Sequence, residues 1–322
     1  MKKYIVLFLA ITQLSTAANF QFQFSGGFND NSPRSPVGGN PGTTLGEQRQ
    51  ILFNTAANAW AVRLESNVTI VVDAQFAALF CSPNSATLGS AGPSSLHANF
   101  PNTPINNTWY PRSLVDAIRG VNNNPGQPDI NATFNSNIDT GCFNGGTFYY
   151  GLDGNTPGNQ TDLYSVVLHE LGHGLGFVSV VDVGDGGANP ATGEFGQGIP
   201  AIFDRFIFDT ETNMPWTSMN DAQRLASLAN DPNLVWNGNN VNDDAADFIN
   251  SGFNAGLVRL YAPASITPGS SVSHFSTAAS PDVLMEPNLG NLVPGDVDMT
   301  PLLFKDLGYT LIPDLIFENG FD

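Results

Sequence analysis

HELGHGLGF, residues 169–177, decides how the rest of this chain is read. On a helix, His169 and His173 are four apart and project from one face. Two imidazoles so placed can share one tetrahedral zinc at about 2.0–2.1 Å. Glu170 stands one residue along, so its carboxylate points beside the metal and can reach a water there as general base. The bland alternative is a helix with two partly exposed histidines paired by chance. With only 4 histidines in 322 residues, chance accounts poorly for that pairing and the adjacent glutamate. Two histidines do not complete a zinc site, so a third ligand must come from elsewhere.

Around this stretch the sequence predicts a helix over 161–175, capped by Thr161 or Asn159, with Asp162 at the positive end of its dipole. Leu163, Val166, Val167 and Leu171 supply its packing, and Gly174 and Gly176 end it. Upstream, Phe20-Gln21-Phe22-Gln23-Phe24 alternates like a half-buried strand. Residues 45–64 read as a helix, 68–72 as a strand, 82–111 as turn-rich, 113–119 as a short helix stopped by Gly120, and 129–134 and 146–152 as strands. Downstream, 203–208 is strand-like, and 219–228, 245–249 and 300–307 read as helices. There is no internal repeat. The order suggests one α+β domain with a long insertion.

Composition narrows the setting. Apolar residues are 41% and charged residues 12%, with 23 Phe, which suits a stable extracellular fold with a substantial core. The N-terminus, MKKYIVLFLAITQLSTAANF, has the form of a secretory signal: Lys2 and Lys3, a short apolar run, then small residues for cleavage near Ala17 or Ala18. Residues 1–18 are therefore expected to be removed, and no later segment is long and apolar enough to span a bilayer. A secreted location follows, periplasmic if the chain is retained in a Gram-negative envelope. In that compartment Cys81 and Cys142 are expected to be bridged, the alternative being a pair of buried thiols. The net charge is −18, which argues against nucleic acid and anionic membrane surfaces as partners. Acidic surfaces also invite calcium, although no full EF-hand loop is present. Oligomeric state is not encoded in any recognisable pattern.

Candidates for the third ligand are few. Gly176 extends the motif to HELGHGLG, which resembles the metzincin proteases and their HExxHxxGxxH pattern. A glycine there lets the chain turn sharply after the helix. The third histidine position of that pattern is Ser179 here, and a serine hydroxyl is a poor zinc ligand. Asp182, Asp185 and Glu194 lie just beyond, and one of them as ligand would make a different zincin class. His97, in SSLHANF, reads as a lone loop or core histidine. His274 lies in GSSVSHFSTAASPDVLMEPNLG, eleven residues before Met285.

Ser273-His274-Phe275 followed by Leu284-Met285 resembles the leishmanolysin-like zinc proteases, in which the third histidine comes late, after an insertion, and a methionine turn follows. The resemblance covers roughly residues 48–309 in element order and is specific at the two motifs. It implies a metzincin-like zincin fold, with a twisted mixed sheet and two helices above and a C-terminal lobe carrying His274 and Met285 below. It implies one catalytic zinc on His169, His173 and His274, Glu170 as base, and endopeptidase activity on protein or peptide. The layout would be a catalytic domain over 19–312, an insertion over 179–273, and a tail over 313–322 that is either a recognition tag or a terminal strand. Peptide would bind along a sheet edge, with GTFYYGL (146–152) or the segment before it as a candidate rim and 287–292 as a pocket wall.

The chain departs from parasite-type members in having two cysteines and no pro-segment with an inhibitory cysteine, a role otherwise open to Cys81. It thus resembles a smaller, bacterial-type relative, active once folded and metal-loaded. Two other classes remain open from sequence: a secreted zinc-binding adhesin or inactive homologue, and a zinc hydrolase of a non-peptide amide. Retention of Glu170 counts against the first, since structural zinc needs no base.

Overall fold

Alternation governs the first strand. In the computed structural model, which describes residues 16–313, β1 (Phe20–Ser25) turns its phenylalanines inward and leaves Gln21 and Gln23 exposed. β2 (Ile70–Ala77), β3 (Gly89–Pro93) and β4 (Ile130–Asn135) complete a four-stranded sheet in the order β1-β2-β4-β3. The first three run parallel, and β3 runs antiparallel to β4 along one edge.

Two long helices pack together on this sheet. α1 (Leu45–Ala61) begins with a capping box in which Thr44 and Glu47 satisfy each other's backbone N–H groups. In its last turn stands Trp60, whose indole N–H donates to the Leu168 carbonyl at 3.1 Å and so fastens α1 to α3 (Leu163–Leu175). Between α1 and the sheet, Phe53 meets Phe28 and Phe134 edge-on, with centroids 4.8 and 4.6 Å apart. Such pairs contribute about 0.5–1.5 kcal/mol each beyond area burial. α2 (Arg112–Arg119) stops at left-handed Gly120, as its sequence predicts.

Beyond α3 the chain builds a second group of elements. β5 (Ile207–Asp209) pairs antiparallel with β6 (Met214–Pro215) and β7 (Leu234–Trp236). α4 (Asp221–Ser227), α5 (Asn239–Asp244) and α6 (Thr300–Leu307) surround them. One carboxylate ties this region together: Asp306 on α6 accepts from Trp236 Nε1 at 2.9 Å and from the backbone N–H of Asn240 at 2.9 Å. The result is an α+β fold with one mixed sheet and six α-helices among the described residues. No helix among them is long and apolar enough to cross a membrane.

Several local expectations change. The turn-rich stretch 82–111 contains β3, whose sequence, GSAGP, has no strand-forming residue; pairing with β4 and packing on α3 hold it extended. GTFYYGL contributes only Phe148–Tyr149, paired with Thr161–Asp162 outside the main sheet, so it is not the sheet edge. The strand expected at 68–72 starts at Ile70 and runs to Ala77. The 203–208 run splits into a 3-10 turn at Phe203–Phe206 and then β5, because Asp204 turns inward to accept backbone N–H bonds from Val180 and Ala201. The 245–249 helix is a 3-10 turn, Ala245–Asp247, following α5. Residues 1–15 of the expected signal and the tail beyond Pro313 lie outside the described residues.

Cys81 and Cys142 form a disulfide that closes a 61-residue separation and joins the turn before β3 to the loop after β4. Replacing both with serine should lower unfolding free energy by about 4 kcal/mol on the chain-entropy account of a loop this long. A urea midpoint unchanged from the parent would refute that contribution.

Candidate metal centre

α3 is capped by Asp162, whose carboxylate accepts from the backbone N–H of Ser165 at 3.1 Å and from its hydroxyl at 2.6 Å. The cap is thus Asp162 itself rather than Thr161 or Asn159. Leu163, Val166, Val167, Leu168, Leu171 and Leu175 are buried and fix which way the helix faces. His169 and His173 are thereby presented together, with their Nε2 atoms 3.0 Å apart. His274 brings its Nε2 to 3.2 Å from each of them.

The other ring nitrogens decide the chemistry. Nδ1 of His169 lies 2.8 Å from the Leu284 carbonyl, that of His173 2.7 Å from Phe177 O, and that of His274 2.8 Å from Ser270 O. Carbonyl oxygens only accept, so each Nδ1 carries the hydrogen and each neutral ring offers a bare Nε2 lone pair. Burial keeps the rings neutral: it holds His169 and His274 below the usual histidine range and pushes His173 down to about 3, with the neighbouring ring of His169 adding to the shift. Three lone pairs crowded together repel unless a cation sits among them. The three histidines could hold a metal ion, and among the described residues no other set of three or more His, Cys, Asp or Glu side chains converges in this way. The expected calcium therefore finds no carboxylate cage there.

The alternative ligands fall elsewhere. Asp182 accepts from Thr192 Oγ1 at 2.7 Å and Asp185 from Asn189 Nδ2 at 2.7 Å; neither they nor Glu194 join the cluster. His97 pairs with Ser95 Oγ at 3.0 Å. Cys81 is bridged and offers no thiolate.

Gly176 closes α3 at φ 123°, and a Cβ there would stand 2.8 Å from Pro111 Cγ, so the motif glycine is required for both conformation and space. Met285 is fully buried beneath the helix. A Cβ on Gly172 would lie 2.6 Å from its Sδ, so that glycine admits the methionine. The same turn supplies the Leu284 carbonyl that braces His169, and Asp298 holds the Leu284 N–H in turn. Met285 O also accepts from Phe275 N at 2.8 Å, which links the turn to the segment bearing His274.

Glu170 is 7% exposed and lies against β3. A Cβ on Gly89 would stand 2.9 Å from its Oε1, and the backbone N–H of Ala91 donates to its carboxylate. Burial pushes its pKa up to about 8, and the Ala91 bond offsets part of that. Asn135 N donates to Leu88 O and Ser94 N to Asp129 O, so the even-numbered residues of β3 turn their main-chain groups toward β4. Gly89, Ala91 and Pro93 turn theirs to the edge, where no further strand pairs among the described residues. Gly89, Ala91 and Asp298 carry no sequence signal of a site role, because they act through backbone position or at a distance along the chain.

A family model described as SPBPB7E8-like matches residues 8–185, more than half of the chain. The matched span contains His169, Glu170, His173 and Gly176 and ends before His274. No curated protein and no solved structure matches.

Proposed function

The chain belongs to the SPBPB7E8-like family, and from the chemistry its site can perform we propose that it is a secreted, zinc-dependent endopeptidase with a metzincin-like architecture, similar to the leishmanolysin-like proteases. The observation that carries this reading is the convergence of three Nε2 lone pairs, every Nδ1 being spent on a carbonyl, with Glu170 one residue along. A tetrahedron with zinc–nitrogen bonds of about 2.0–2.1 Å has edges of about 3.3–3.4 Å. The observed separations of 3.0, 3.2 and 3.2 Å fall just inside that, so the residues fit the ion. The disulfide suits an oxidising compartment.

When bound, zinc would polarise the scissile carbonyl and lower the pKa of water. Glu170 takes the proton of the attacking water and passes it to the leaving nitrogen. Its buried, solvent-poor setting raises its affinity for that proton, and the Ala91 N–H fixes where the carboxylate stands. The Gly89 N–H and the carbonyls of Gly89, Ala91 and Pro93 face that edge and can pair an extended peptide, the Ala91 N–H being held by Glu170. Residues 287–292 remain the proposed pocket wall.

Gly89→Ala sets a methyl group against the Glu170 carboxylate. It should lower kcat/KM about 10²-fold, the cost of an ångström of misplacement, with metal content unchanged. Unaltered kcat/KM would show that Glu170 is not confined by β3. The reading as a whole is tested by incubating purified protein with casein or gelatin, with and without a chelator. Digestion that stops with chelator and returns with zinc is expected. A zinc-loaded chain that cleaves neither substrate would favour the adhesin or non-peptide reading.

A further inference from the structure

Ser179 stands where the compact motif would place its third ligand, and its side chain is turned to another task. Its hydroxyl donates to Asp204 Oδ1 at 2.6 Å, while its backbone N–H donates to Ser273 Oγ at 3.0 Å, one residue before His274. Asp204 is fully buried and also accepts from the backbone N–H of Ala201 at 2.8 Å and of Val180 at 3.3 Å. We propose that Asp204, Ser179 and Ser273 form a polar tether that seats His274 at the metal, doing by position what a ligand at residue 179 would do by coordination. The inference rests on the metal-centre reading above and deepens it.

A second observation shows that the His274 segment needs holding. Val272, two residues before the ligand, has φ 62°. A β-branched residue in the left-handed region is a genuine outlier that persists only where its surroundings over-determine it. Those surroundings are visible: Val272 N donates to Tyr261 O at 2.8 Å and Tyr261 N to His274 O at 2.9 Å. These bonds fix the segment to the stretch around Tyr261. The Ser179–Ser273 bond ties it to the chain just beyond α3, in addition to the Phe275–Met285 bond to the turn that braces His169. A one-residue bond across a separation of 94 residues registers one imidazole against two.

The test titrates zinc into the full chain against a chromophoric chelator and records the visible spectrum after cobalt substitution. Ser273→Ala and Asp204→Asn should each bind zinc about 10–100-fold more weakly, as loss of partners behind metal ligands does. Their cobalt bands should shift, while the metal-free melting temperature of Ser273→Ala stays at the parent's. Ser273→Thr, which keeps the acceptor oxygen, should restore parental affinity. If Asp204→Asn fails to fold, Ser179→Ala breaks the same link. Zinc affinity within twofold of a tightly binding parent in Ser273→Ala would overturn the tether alone. A parent that takes up no zinc would overturn the metal reading, and this inference with it.

Discussion

Glu170→Gln is expected to keep one zinc per chain and to lose peptide hydrolysis by about 10²–10⁴-fold, the usual contribution of a positioned general base. The substitution is nearly isosteric in a site where the parent side chain is 7% exposed, so packing should survive. The amide oxygen can still accept from Ala91 N–H, which keeps the side chain in place beside β3. What it cannot do is take a proton from water. The three imidazoles are braced by Leu284, Phe177 and Ser270 carbonyls, none of which involves Glu170, so metal content should be unaffected. A variant that holds zinc and digests casein at the parental rate would sink the proposed role.

His274→Ala should have the opposite signature, with zinc content falling toward zero and activity falling with it. Two imidazoles 3.0 Å apart remain, but the third donor is gone and no other histidine or carboxylate stands near enough to replace it among the described residues. The effect should also appear in stability. A parent with free zinc at about a thousand times Kd gains about 4 kcal/mol on unfolding, and the variant should gain almost none. Melting curves with and without zinc would measure this. Full stoichiometry and a parental zinc-induced shift in the variant would remove His274 from the site.

Legibility followed the range of the interaction. β1, α1, α2 and α6 were readable because a two- or 3.6-residue period and local caps such as Thr44 with Glu47 specify them. β3 was not readable, since Gly89-Ser90-Ala91-Gly92-Pro93 carries neither period nor propensity and is extended only through β4. The cap of α3 is Asp162 rather than Thr161 or Asn159, because an aspartate that suits the helix dipole also reaches the Ser165 N–H, and the sequence does not separate the two roles.

The sequence by itself determined the local half of the site: two imidazoles four apart, a carboxylate beside the first, and a glycine where the helix must end. Helical geometry makes such spacing a fact about neighbours. Only the tertiary structure decided the rest. It brought the His274 ring to His169 across 105 residues, placed Glu170 under the edge of a strand that has no sequence signature, and turned Ser179 toward Asp204. Those outcomes depend on how α3, the sheet and the returning chain pack against one another, and no local pattern of residues records that packing.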